Sequence, residues 1–214
     1  MEIYRILYEN RNKVVARQMS KYMKDKFPFL GLKKPERTAI TKEFLKNKGK
    51  DREVDWDFIF KSFQLPEREF HYLAIEYMDK IKEIFTPDDM INIEKLLLTK
   101  SWWDSVDAIN RIVGHLALKY PIIKEKYISK WLESDNIWLI RISIIFQLKY
   151  KDKTDTDFLS RAIMENSNTK EFFIDKGIGW ALREYSKTHK DWVSTFISNN
   201  GLSKLSVREG SKYI

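Results

Sequence analysis

The chain has 214 residues, 43% of them hydrophobic and 14% aromatic, which is enough to fill a substantial core. Its 39 Lys plus Arg against 31 Asp plus Glu leave a formal charge of +8, which favours a polyanionic partner, either nucleic acid or an anionic membrane surface. The absence of Cys excludes a disulfide framework, a thiolate nucleophile and a Cys-ligated metal.

The opening MEIYRILYENRNKVV is broken by charges and lacks the apolar stretch of a signal peptide. No apolar run approaches the ~20 residues of a membrane span. A soluble, cytoplasmic, monomeric protein without membrane association is expected. Gly and Pro are sparse, at 7 and 5, and the segments between them carry apolar residues at three and four residue spacing. The pattern predicts an all-α chain with helices near 2–9, 13–25, 35–48, 54–64, 67–82, 87–99, 102–119, 121–132, 136–150, 155–166, 170–187, 190–199 and 206–213. Pro35, Pro66, Pro87 and Pro121 fall at predicted helix starts, where a missing N–H costs little.

Within KSWWDSVD, residues 100–107, Ser101 reads as an N-cap with Asp104 three residues on, a capping box at the positive helix end. Asp107 then has no local task. It lies four residues after Trp103, so an indole and a carboxylate share one helical face. Trp103, Trp138 and Phe173 are separated by 35 and 35 residues, and Phe70 precedes Trp103 by 33. A period of that length with two helices per unit is the signature of an α-solenoid, here HEAT-like, spanning 1–214 as one domain. Such stacks curve, and their inner helices line a concave surface. The predicted inner helices gather Arg68 and His71, Trp103 and Asp107, Trp138 and Arg141, and Lys176, Trp180 and Arg183. Aromatics interleaved with cations on one groove suit a nucleic acid backbone.

Each of these residues also has a plainer reading. Helical Trp residues are commonly core residues, and Asp107 has a potential ion-pair partner in Arg111 one turn away. Arg141, alone in WLIRISIIF, must reach an anion or the helix rim. His71 and His115 lack a second ligand at metal spacing, and neither a Gly-rich phosphate loop, an HExxH helix nor a Ser nucleophile motif occurs, so no metal or cofactor is expected.

The segments KSWWDSVD (100–107), SDNIWLIRISIIFQLKYK (134–151) and KEFFIDKGIGWALREYSK (170–187), with FPFLGLKKPER (27–37) and LPEREF (65–70), resemble the AlkD family of bacterial DNA alkylation repair glycosylases. The resemblance implies a right-handed α-solenoid of HEAT-like repeats that holds duplex DNA in a concave groove. It further implies hydrolysis of the N-glycosidic bond of cationic N3- and N7-alkylated purines, without base flipping. Residue by residue, Asp107 matches the family's catalytic acid, Trp103 the aromatic one turn before it and Trp180 the second Trp of the site. Arg141 matches a DNA-backbone contact, and Tyr22, in SKYMKDKF, a further groove residue. Lys176, Arg183 and the C-terminal Arg208 complete the expected DNA-binding set. The alternative is a non-catalytic DNA-binding or scaffolding solenoid, since repeat arrays serve widely as binders.

Overall fold

The structure, a computed structural model, describes residues 1–214 and contains thirteen α-helices and no strand. It divides into two compact units, Met1–Thr86 and Pro87–Ile214. The first contains α1 (Glu2–Glu9), α2 (Lys13–Tyr22), α3 (Lys34–Lys48), α4 (Trp56–Gln64) and α5 (Arg68–Lys80). The second contains α6 (Met90–Leu98), α7 (Trp103–Lys119), α8 (Ser129–Leu132), α9 (Ile137–Ile145), α10 (Thr156–Asn166), α11 (Phe172–Ser186), α12 (Lys190–Asn199) and α13 (Lys204–Gly210). Each expected helix has a counterpart, but the one expected over 121–132 is α-helical only over Ser129–Leu132 and begins with a π-helical turn, Lys124–Ile128. No helix is long and apolar enough to cross a membrane.

In the first unit, two separated motif segments form one assembly. The buried carboxylate of Glu69, in LPEREF, accepts from the backbone N–H groups of Leu30 (2.9 Å), Gly31 (2.9 Å) and Leu32 (3.1 Å), in FPFLGLKKPER. Arg68 N donates to Pro28 O at 3.0 Å, and its guanidinium lies 4.0 Å from the Phe27 ring centroid. Arg68 and His71 are therefore not groove residues. Both are fully buried and bonded to each other at 2.9 Å, because the chain uses them to seat this loop on α5. Helix α2 ends at Tyr22 rather than running to 25. Lys24 and Asp25 turn left-handed, with φ of 58° and 54°, and Asp25 N reaches back to Ser20 O at 2.8 Å, a helix-terminating pattern.

In the second unit, the repeat expected from the spacing appears as contacts about one period apart. Asn110 on α7 donates to Ile145 O on α9 at 3.0 Å, Lys149 pairs with Glu184 on α11 at 2.6 Å, and Trp131 on α8 donates to Glu94 on α6 at 2.7 Å. Helix α9 is packed by α7 on one side and α11 on the other, so its residues from Trp138 to Ile145 are all buried and its sequence has no polar face. It stops at Ile145, short of the expected 150. The Ile145 carbonyl accepts from Asn110 of α7 as well as from Leu148 N–H, and Tyr150 turns back to donate to Gly114 O on α7 at 2.6 Å.

Candidate active site

The helix that begins the site starts without the expected capping box. Ser101 Oγ donates to Leu97 O at 2.5 Å, closing the end of α6, and the N-cap of α7 is Trp102 in an extended conformation. The left-handed Lys100 (φ 46°) makes the turn that separates the two helices, so the Ser101 hydroxyl faces the preceding helix instead of the following one. Lys170, two periods later and just before α11, is left-handed in the same way at φ 59°. Trp102 is also the ring that carries the aromatic register: it lies 5.6 Å from Trp138 and 5.0 Å from Phe173, while Trp138 and Phe173 are 4.9 Å apart. The packed trio is Trp102, Trp138 and Phe173, at the N-terminal ends of α7, α9 and α11. Trp103, half-buried, opens α7 one turn before Asp107.

Both oxygens of Asp107 are held by one guanidinium. Arg141 Nε donates to Oδ1 at 2.8 Å and Nη2 to Oδ2 at 2.9 Å, the parallel two-bond geometry that only an arginine supplies. Its Nη1 donates to Phe173 O at 2.5 Å, linking the pair to α11. Arg141 is 4% exposed, whereas the Asp107 side chain keeps 19% of its surface. The lone cation in an apolar helix thus meets an anion 34 residues away, and the acid presents an outer edge to solvent. The Trp180 ring centroid lies 6.0 Å from the Arg141 guanidinium carbon. Across α7, α9 and α11 the arrangement therefore joins a carboxylate, a guanidinium and an indole.

Of the remaining residues read from the sequence, Lys176 and Arg183 lie one turn to either side of Trp180 on α11 and both pair with Glu209 of α13, at 3.2 and 3.1 Å. Arg208 comes within 3.7 Å of the same carboxylate. Tyr22 ends α2 in the first unit, 71% exposed, beside a shallow hollow lined by Met19, Phe29 and Tyr72. Arg141 was expected to contact DNA, but in this conformation it is engaged by Asp107 and the Phe173 carbonyl. Three of its five N–H groups are used in these bonds. Sequence reading missed Trp102 and Glu209, and also Gly177, where a Cβ would lie 3.2 Å from Arg141 Nη1. The 35-residue step from Trp138 and Phe173 points to Trp103, one residue past the ring that completes the trio, and Glu209 has no sequence signal at all.

The family model described as DNA alkylation repair enzyme matches residues 3–214. A solved structure described as a predicted DNA alkylation repair enzyme from Enterococcus faecalis is similar over 95% of this chain and 96% of its own, with a TM-score of 0.90 and 36% identity. The crystal structure of smu.31 from Streptococcus mutans UA159 covers 83% of this chain and 97% of its own at a TM-score of 0.60 and 18% identity, a likeness of fold alone. No curated protein matches the chain.

Proposed function

The chain belongs to the DNA alkylation repair enzyme family, and from that premise we propose that it is a DNA glycosylase acting on cationic N3- and N7-alkylated purines in duplex DNA. The observation that carries the reading is the convergence of Asp107, Arg141 and Trp180 at one partly open position on α7, α9 and α11. Alkylation at N3 or N7 gives the purine a positive charge. The C1′–N bond then breaks with its electron pair passing to the base, which leaves as a neutral molecule without needing a strong acid. The deficit develops on the sugar as an oxocarbenium-like centre. The outward edge of Asp107 stabilises it and orients a water, whose oxygen bonds to C1′ and whose proton is released.

Arg141 makes that edge available by fixing the rotation of the carboxylate plane. A fixed, preorganised charge stabilises the developing cation better than one that must reorient. Trp103 and Trp180 offer π-faces to the cationic sugar, worth roughly 0.5–2 kcal/mol each according to desolvation. The base stays in the helix and is selected by its own lability, because the groups that act are directed at the sugar and backbone.

Asp107→Asn tests the reading. The amide keeps the shape but cannot supply the negative charge, so release of 7-methylguanine from methylated duplex DNA is expected to fall by about 100-fold or more, with duplex binding retained. Full base release in that variant would remove the catalytic assignment and leave a DNA-binding helical-repeat protein.

A further inference from the structure

Glu209 is 6% exposed and is surrounded by four cations. Its Oε1 lies 3.2 Å from Lys176 Nζ and 3.7 Å from Arg208 Nη2, and its Oε2 lies 3.1 Å from Arg183 Nη1 and 2.6 Å from Lys212 Nζ. The acid lies beneath and the cations lie above it: the Glu209 side chain keeps 8% of its surface, against 38% for Lys176, 28% for Arg183, 47% for Lys212 and 71% for Arg208.

The placement is built into the packing of α11 on α13. Ser203 caps α13, and Ser206 Oγ donates to Asp175 O on α11 at 3.0 Å. A Cβ at Gly179 would stand 2.5 Å from Glu209 Cβ, so only glycine lets α13 come this close. Hydrogen bonds from Lys212 and Lys176 hold the Glu209 carboxyl down at about 2, so it keeps its charge throughout the neutral range.

Neutralising a buried acid takes one cation. Four around one carboxylate repel each other, and the surplus positive charge is favourable where a second anion completes the cluster from outside. Each lysine has three donors and each arginine five, so most of the donors remain directed away from Glu209. Lys176 and Arg183 stand one turn to either side of Trp180, which places the cluster beside the sugar-facing indole.

We infer that Glu209 is the positioning residue of a DNA-phosphate clamp, gathering Lys176, Arg183, Arg208 and Lys212 into one patch beside Trp180 that grips the backbone of the strand being repaired. The ligand rests on the DNA-repair reading above, but the clamp is tested by binding without any chemistry. Affinity for an undamaged duplex is measured between about 50 and 200 mM salt, with wild-type base release followed in parallel. Glu209→Gln adds one unit of positive charge, so charge alone predicts tighter binding and a steeper salt slope. The clamp predicts the opposite: about 3–10-fold weaker binding, a slope shallower by about one phosphate contact, and partial recovery in Glu209→Asp. Unchanged or tighter binding by Glu209→Gln would overturn the clamp.

Lys212→Met removes one clamp cation at an exposed position and covers the case in which Glu209→Gln does not fold. Its salt slope is expected to fall by about 0.9, and an unchanged slope would likewise overturn the inference. Loss of the catalytic reading is separately visible: wild-type protein would then bind duplex with the expected slopes and release no base.

Discussion

At Arg141 a cation is buried in an otherwise apolar helix, and a guanidinium is required there because its planar fork meets both oxygens of Asp107 while a third N–H reaches the Phe173 carbonyl. Arg141→Lys keeps the charge but makes a single contact, so the carboxylate is free to rotate. Base release per bound complex is expected to drop by about tenfold or more while duplex affinity changes less. Single-turnover kinetics separates the two effects. Arg141→Ala removes the counter-charge from a largely buried acid and is expected to cost about 3–5 kcal/mol in urea unfolding, which makes it a poor probe of chemistry. Asp107 and Arg141 were both legible as unusual residues in their helices. Their pairing was not, because the local alternative, Arg111 one turn away, satisfies the same helix-face rule.

At the scale of elements, contacts between helices are set by where side chains are missing as much as by where they are present. A Cβ at Gly177 would lie 3.2 Å from Arg141 Nη1 and 3.6 Å from its Cγ. Ala at that position favours the helix by up to about 1 kcal/mol but pushes the guanidinium by a few tenths of an ångström. Gly177→Ala is expected to leave the melting temperature nearly unchanged and to reduce base release by roughly 3–10-fold, since small misplacements of the reacting geometry are costly. Equal loss of stability and activity would show that the glycine serves packing alone. Helix α9 shows why its C-terminus could not be read in advance: IFQLKY continues the helical pattern, while the Ile145 carbonyl accepts from Leu148 N–H in a turn and from the side chain of Asn110, 35 residues earlier.

Over the whole molecule, the charge balance of +8 and the Asp and Glu ion pairs set the response to pH. Glu209 is held by Lys212 and Lys176 down at about 2, from an ordinary 4.5. For Asp55, Asp155 and Glu184, burial alone would raise the carboxyl. Ion pairs and hydrogen bonds with Lys48, with Lys124, and with Lys149 and Lys187 outweigh it, so all three are lowered. A carboxyl whose folded value is depressed contributes stability that is fully present above its unfolded value and lost as pH falls through the folded one. The melting temperature is therefore expected to hold from pH 7 to about 5 and to fall progressively below about 4.5. The fall should be shallower in Glu209→Gln, and a melting temperature constant down to about pH 3 would contradict the ion-pair assignments.

The all-helical class, the number and phase of the helices and the repeat length are legible in the residues alone, since apolar spacing, Pro positions and N-cap residues such as Asn12, Asp55 and Asn136 act within a turn or two of the chain. The side-chain partners come from the packing of the helices. That packing joined Asp107 to Arg141, put Trp102 rather than Trp103 in the ring trio, buried Arg68 and His71 under the loop they anchor, and drew Lys176, Arg183 and Arg208 onto Glu209. The physical reason is that helical periodicity names a face, whereas the rotation and approach of one helix on the next depend on carbonyls, glycines and carboxylates some 35 residues apart. Those long-range choices position the carboxylate on which the proposed chemistry depends.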